Sequence, residues 1–158
     1  MVRSVRPATR ADLATLGRLG AVLMRTHYDF DQQRFLAPGD DAEEGYAWFL
    51  ETQLGERDAT VLVAEREGMV VGYVYAALEP LSWKELRGPA GFVHDIVVDQ
   101  RARGDGVARD LLDAAVKWLR ERGAPRVVLW TAAQNTDAQH LFERAGFRKT
   151  MIEMTLEL

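Results

Sequence analysis

The sequence predicts an α/β fold of the mixed, α+β kind, with one mixed sheet covered by helices. Three observations carry that reading. The stretch "TVLVAEREGMVVGYVYAALE" sets two β-branched runs around a Glu67-Gly68 turn, the pattern of a β-hairpin. "GFVHDIVVD" is a strand apolar enough for burial on both faces, and the helix after it has apolar residues at three- and four-residue steps. The resulting order of strand, helix, helix, hairpin, strand, helix, strand, helix, strand calls for a mixed sheet under helices. At 158 residues, 47% of them hydrophobic, the chain has the size of one domain with its own core, and residues 1–158 are read as that domain.

Each element has a local reason. "VRSVR" alternates as a short strand, and Thr9 is placed to cap the following helix with Asp12 in its first turn. Leu13, Leu16, Leu19, Val22 and Leu23 mark one buried face of that helix, which is expected to run to about Arg25. Residues 26–40 read as irregular. A second helix from Asp41 to Leu54 is expected to bury Tyr46, Trp48, Phe49 and Leu50, with the acids of "DDAEE" at its N-terminus, where the helix dipole favours them. Ser82 and Glu85 have capping-box spacing for a helical turn. Val107, Leu111, Leu112, Ala115, Val116 and Leu119 line one side of a helix ending at Gly123, and "PRVVLWTA" is a further strand. "NTDAQHLFERAGF" is a short helix with Thr136 and Gln139 at capping-box spacing and Gly146 as its stop, and "RKTMIEMTLEL" follows as an alternating strand.

With 24 acidic against 20 basic residues and a net charge of −4, the chain has no general electrostatic attraction for nucleic acid or an anionic membrane. It has no cysteine, which excludes disulfides, thiolate metal sites and a cysteine nucleophile and suits a reducing cytoplasm. The start "MVRSVRPATRADL" lacks an apolar signal core, and no apolar run approaches the roughly 18 to 20 residues that span a bilayer, so a cytoplasmic protein is expected. His27 and His140 read as surface or packing residues and no metal cluster is evident. The charge is uneven. Residues 1–79 hold 8 Lys or Arg against 13 Asp or Glu, whereas residues 80–158 hold 12 against 11.

The second half contains "RARGDGVARDLL", where Arg101, Arg103 and Arg109 surround Gly104 and Gly106 just before a helix. Glycines there let the backbone turn tightly, and the free amides of a helix's first turn attract anions, so a phosphate is the fitting guest; a solvated turn is the alternative. A P-loop would need Lys and then Ser or Thr after its last glycine, but Val107 and Ala108 follow Gly106. A dinucleotide-binding turn would need a third glycine where Arg109 stands and an acid at the end of the next strand, where "APRVVLW" has none.

Arg103-x-x-Gly106-x-Ala108, preceded by Ile96-Val97-Val98, resembles the R/Q-x-x-G-x-G/A signature of the GCN5-related N-acetyltransferases (GNAT). Asn135-x-x-Ala138-x-x-x-Phe142-x-x-x-Gly146-Phe147 resembles that family's second motif, and the element order resembles the family fold along nearly the whole chain. The resemblance implies a mostly antiparallel central sheet with splayed parallel strands and about four flanking helices. It implies acetyl-CoA as co-substrate, with its pyrophosphate on the amides of Arg103, Gly104, Asp105, Gly106, Val107 and Ala108 and its pantetheine arm along the backbone of Ile96, Val97 and Val98. Asn135 and Phe142 match positions along the same arm; an Asx-turn and core packing are their structural alternatives.

The implied reaction is attack of a primary amine on the thioester within a ternary complex. An alkyl amine of pKa near 10 is about one part in a thousand neutral at pH 7, a cost of roughly 4 kcal/mol, so a base or desolvating pocket is required. His94 and Asp95 on the central strand are the candidates, acting directly or through water. Adjacent strand residues face opposite sides, so at most one is expected to point at the acetyl group, and Asp95 could instead anchor a loop. A backbone amide near Val97 or Val98 would stabilise the oxyanion, following the family. Many family members carry a tyrosine at the position of Phe142 to protonate the leaving sulfur; here Tyr28, Tyr73 or Tyr75 would have to serve, or the thiolate leaves unaided. On the acceptor side, Asp29 and Asp31 beside Tyr28, Phe30 and Phe35, together with the hairpin residues Tyr73 and Tyr75, suit a small cationic amine or peptide with an apolar stem. A non-catalytic acyl-CoA-binding module is the competing reading, and a homodimer is compatible with the family although no residue pattern specifies one.

Overall fold

The computed structural model of the chain describes residues 3–158. Among them five strands form one sheet in the order β1-β2-β3-β4-β5: β1 (Arg3–Pro7), β2 (Ala59–Arg66), β3 (Met69–Glu79), β4 (Ala90–Val98) and β5 (Val127–Leu129). The first four run antiparallel to their neighbours, and β5 runs parallel to β4. Glu67 and Gly68, with φ of 53° and 76°, make the tight turn between β2 and β3, in the doubly left-handed geometry that matches strand twist. The helices are α1 (Leu13–Phe30), α2 (Ala42–Leu54), α3 (Val107–Glu121) and α4 (Thr136–Arg144). No helix among the described residues is long and apolar enough to cross a membrane.

Strand alternation divides the core between the sheet's two faces. Val61, Val63 and Tyr73 pack beneath Leu16 and Leu19 of α1 and Leu50 of α2, whereas Leu62, Val74 and Ala76 pack against Leu111, Leu112 and Leu119 of α3. At the edge, Arg6 of β1 joins Asp12, at 2.9 Å, and Glu65 of β2, at 2.6 Å, and its hydrogen bond holds the Asp12 carboxyl below the usual carboxylate range. Asp12 Oδ2 also accepts the Thr9 backbone N–H at 2.8 Å, so the expected capping of the first turn is present, in a 3₁₀ turn that leads into α1.

Four local expectations change. α1 continues to Phe30 because residues 26–30 contain no glycine or proline; it stops at Asp31, whose extended backbone and side chain, accepting the N–H groups of Gln33 and Arg34, start a turn. Trp48 is 69% exposed and Phe49 38%, since α2 lies on α1 and touches the sheet along one narrow side, and Trp48 is roughly 200° around the helix from Leu50. Ser82 Oγ does accept the Glu85 N–H, but paired backbone bonds between Ser82 and Arg87 fold the segment into a tight loop instead of a helical turn. Residues 147–158 form no strand: Gly146, at φ 98°, ends α4, and the chain runs on without a sheet partner.

The α1–α2 contact depends on Gly20. A Cβ there would lie 2.3 Å from the Tyr46 ring, so only glycine admits that ring between the two helices. Gly20→Ala is therefore expected to lower stability in urea unfolding by about 1–3 kcal/mol despite alanine's better helix propensity. Gly45→Ala, where no atom lies within 4 Å, is expected to raise it by about 0.5–1 kcal/mol.

Candidate active site

The register between β3 and β4 slips at one place. Tyr75 lies opposite Asp95 and Ala76 opposite Val93, which leaves His94 as an extra residue in a β-bulge. On the far side of β4 the parallel pairing with β5 covers only Gly91 to Val93. The two strands therefore part at the bulge, and the β5-facing backbone of Ile96, Val97 and Val98 has no strand partner among the described residues.

The bulge also resets the alternation. Val93, Ile96 and Val98 turn to the α3 face, whereas Phe92, His94, Asp95 and Val97 share the face under α1 and α2. The premise that these neighbours face opposite sides, from which at most one is expected to point at the acetyl group, does not hold for that reason: both line the cleft. His94 stacks between Tyr75, centroids 5.0 Å apart, and Phe92, 5.3 Å, while its Nε2 donates to Glu79 Oε1 at 2.8 Å. Asp95 Oδ2 accepts from the hydroxyls of Tyr73, at 3.0 Å, and Tyr46, at 3.3 Å. Burial pushes the Asp95 carboxyl above its ordinary value and the two hydroxyls pull it back. Burial and the nearby carboxylate push both of those tyrosines up, and burial takes Tyr75, whose hydroxyl donates to Gln53 at 2.8 Å, to about 12.

Where β4 and β5 diverge a cavity of about 410 Å³ opens. His94, Asp95 and Ile96 form one wall; Leu129, Trp130 and Thr131 continue from β5 as another; Asn135 and Phe142 come from α4. His27 of α1, Tyr46 of α2 and Arg34 and Phe35 from the segment between them close over it. Asn135 Oδ1 also caps α4 by accepting the Ala138 N–H at 3.2 Å, and Phe142 is buried with its ring 6.0 Å from that of Phe147.

Beyond β4 the chain makes a 3₁₀ turn and reaches the glycine corner. Arg103 Nε donates to the Val98 carbonyl at 3.2 Å, and Asp105 is ion-paired with Arg66 of β2. Gly104 and Gly106 both hold left-handed φ, at 85° and 81°. Helical bonding in α3 begins with Asp110 N–H to the Gly106 carbonyl at 3.1 Å, which leaves the amides of Val107, Ala108 and Arg109 without helical acceptors.

The structure thus gathers His94, Asp95, Ile96, Asn135 and Phe142 around one cavity, with the Arg103 to Ala108 corner following the same strand. It does not bring the whole expected acceptor set to that cavity. Tyr28 and Asp29 lie in the last turn of α1, Asp31 is spent on the turn beyond it, and none of the three is in the cavity wall. Tyr73 is fully buried and meets the cleft only through Asp95; Tyr75 is 8% exposed behind His94. Tyr46, expected to be buried in the second helix, His27, expected as a surface or packing residue, and Trp130 line the cavity instead. For Tyr46 the available signal is a phenol on an apolar helix face, whose hydroxyl needs a buried partner.

The profile of the acetyltransferase (GNAT) family matches residues 23–147. Mycothiol acetyltransferase of Cellulomonas flavigena is 33% identical over 127 residues, which are 78% of this chain and 34% of that protein. The chain spans about a third of the length of the mycothiol acetyltransferases it matches. An uncharacterised N-acetyltransferase of Bacillus subtilis, YhfO, is 26% identical over 148 residues, 92% of this chain and 90% of that one. Among solved structures, a mutant of the BH1408 protein from Bacillus halodurans superposes with a TM-score of 0.85 at 21% identity, over 100% of this chain and 99% of that chain. The aminoglycoside acetyltransferase AAC(6')-Iy, solved with a bisubstrate analogue of CoA and acetylneamine, superposes at 0.78 and 21% identity, over 100% and 99%. At these identities the two structures establish a shared fold.

Two measurements test the Asp95 environment. Tyr73→Phe removes a donor that favours the carboxylate, so the Asp95 titration midpoint, followed by carboxyl carbon NMR, is expected to move to higher pH. Because the folded state raises this pKa, the associated stability is full below the unfolded value of about 3.9 and is lost as pH rises through the folded value. Asp95→Asn is expected to abolish that loss, so urea unfolding should show the variant gaining on the parent as pH rises from about 3.9 toward neutrality.

Proposed function

The chain belongs to the acetyltransferase (GNAT) family, and from that membership we propose that it transfers the acetyl group of acetyl-CoA to a primary amine by direct attack while both are bound. The observation that carries the proposal is the parting of β4 and β5 at the bulge, which puts bare strand backbone and two titratable side chains along one opening, with the glycine corner following on the same strand. These residues suit the cofactor in three ways. The backbone of Ile96 to Val98 lacks a strand partner where an amide-bearing arm can pair. The amides at the start of α3 lack helical acceptors where a diphosphate needs donors. Asn135 and Phe142 stand on the opposite wall. When bound, acetyl-CoA supplies an activated acyl group as a thioester.

Asp95 is assigned as the base. Its raised affinity for a proton matches the task, and the carboxylate takes the amine proton, directly or through one water, on the oxygen not engaged by the tyrosines, while Tyr46 and Tyr73 fix its position through Oδ2. His94, with Nε2 engaged by Glu79 and its ring clamped by stacking, orients the acceptor beside it. A backbone amide near Val97 or Val98 serves the developing oxyanion. Phe142 offers no proton, and Tyr46 is the tyrosine that forms part of the cavity wall.

For the acceptor we favour a small cationic amine with an apolar stem. Asp95 supplies the counter-charge, and His27, Phe35 and Tyr46 supply aromatic surface around it. Relatives named as mycothiol and aminoglycoside acetyltransferases support an amine of this kind. A panel of polyamines, lysine peptides and aminoglycosides, assayed with acetyl-CoA for free thiol, tests the assignment: thiol release that depends on one amine supports it, whereas tight cofactor binding with no turnover on any amine would leave an acyl-CoA-binding module.

Two variants separate the parts. Gly106→Trp forces a bulky residue into a left-handed φ of 81° and is expected to weaken CoA binding in calorimetry at least tenfold; unchanged affinity removes the pyrophosphate assignment. Asp95→Asn is expected to lower kcat by about 100-fold or more and to erase the ascending limb of the pH–rate profile. A profile left intact would transfer the base's role elsewhere.

A further inference from the structure

The cavity wall carries charge of both signs. Among the described residues that line it, Asp95 is the one carboxylate and Arg34 the one side chain that is always cationic. They stand on different walls, Asp95 on β4 and Arg34 on the segment between α1 and α2 that closes over the opening. A guanidinium at the mouth works against an acceptor that carries positive charge alone, and what offsets it here is a carboxylate.

Arg34 is set in place by its own segment. The Asp31 side chain accepts the Arg34 backbone N–H at 3.2 Å, and the guanidinium lies 4.9 Å from the centre of the Phe35 ring, which in turn meets the His27 ring at 5.0 Å. Nε and Nη2 donate to the two carboxylate oxygens of Glu153, the latter at 2.9 Å, in the forked geometry with which arginine takes a planar acid. Glu153 belongs to the segment after α4, where every side chain from Arg148 to Leu158 is exposed, and it does not line the cavity. The pair is open to water, with Arg34 38% and Glu153 59% exposed, so exchanging one carboxylate for another costs little.

We propose that the acceptor is an amine with a carboxylate at the other end of its stem, and that this carboxylate takes the place on Arg34 that Glu153 holds in the free protein. The amine end goes to Asp95, and the apolar stem crosses the aromatic surface of Phe35 and Tyr46. Because the two charged groups of the protein stand on different walls, the amine and the acid are parted by a stem and do not share one carbon. Arg34 thereby selects among amines, and Glu153 is an acid of the chain's own that competes for it. Only the amine end rests on the acetyl-transfer reading; the acid end rests on Arg34.

Three acids, γ-aminobutyrate, ε-aminocaproate and the dipeptide alanylalanine, each compared with its carboxamide in the thiol-release assay, test it. For at least one acid kcat/KM is expected to exceed that of its carboxamide about tenfold or more, and the pair that does so identifies the stem. Equal turnover of acid and carboxamide in all three pairs overturns the proposal. Glu153→Gln keeps the guanidinium and removes its competitor, so KM for the preferred acid is expected to fall about two- to fivefold while that of its carboxamide holds; a KM for the acid that stays or rises overturns it. Arg34→Gln is expected to erase the preference, and a preference that survives it overturns the proposal. A last arm needs no turnover: the Arg34 Nε–H signal in nitrogen NMR of the full chain is expected to shift on titration with the acids and not with the carboxamides, and a signal that ignores all three acids overturns the proposal. Should no amine be acetylated while that signal responds, the catalytic reading fails and the acid site stands.

Discussion

β4 has to satisfy two neighbours with different demands. Against β3 it pairs for its whole length, and against β5 it pairs for three residues and then must leave. One residue too many, His94, reconciles the two, because a bulge bends its strand and increases the local twist without ending the ladder on the other side. The cavity, the unpaired backbone beyond it and the common orientation of His94 and Asp95 all follow from that insertion. A β4 one residue shorter at this point would restore the alternation and leave one side chain instead of two on the cleft face between Val93 and Ile96.

Placing a carboxylate on that face is costly unless it is hydrogen-bonded, and the chain meets the cost with hydroxyls instead of a cation. Tyr73 and Tyr46 satisfy Asp95 without fixing it as a low-pKa ion pair, in contrast to Asp99, where hydrogen bonding to Arg101 holds the carboxyl down. Neutral donors leave the Asp95 carboxyl above its ordinary value, whereas an arginine partner would have held it down. The arginines of the glycine corner are committed likewise: Arg101 to Asp99, Arg103 to the Val98 carbonyl and Arg109 to Asp113. The backbone amides of Val107, Ala108 and Arg109, rather than the arginine charges, are the groups without helical partners.

Much of the fold is legible in the sequence because it rests on short-range rules. The two runs around Glu67 and Gly68, the apolar face from Val107 to Leu119 and the glycines at positions 104 and 106 each announce their geometry within a few residues. The parts that escape depend on long-range partners. A bulge is invisible to strict alternation, which puts His94 and Asp95 on opposite faces. Trp48 and Tyr46 both look like core in an amphipathic helix, and which of them meets the sheet is set by how α2 lies on α1. Asp29 and Asp31 draw attention by their charge, but α1 continuing to Phe30 carries them away from the cleft. The closing strand-like pattern is real in the sequence and unpaired in the folded chain, since alternation states what a segment can pair with and not whether the fold supplies that partner.

The missing side chain at Gly20 has a consequence for how this architecture can diversify. Because the Tyr46 ring occupies the space an alanine methyl would fill, the two roofing helices are locked in one relative position, and that position sets the hydroxyl on Asp95. The linker joining them, residues 31–41, is under no such restraint, although Arg34 and Phe35 within it overhang the cavity. Replacements there can reshape the mouth of the cavity while the Asp95, Tyr46 and Tyr73 contacts below stay untouched, so the rim and the buried hydrogen-bonded carboxyl occupy separable stretches of the chain.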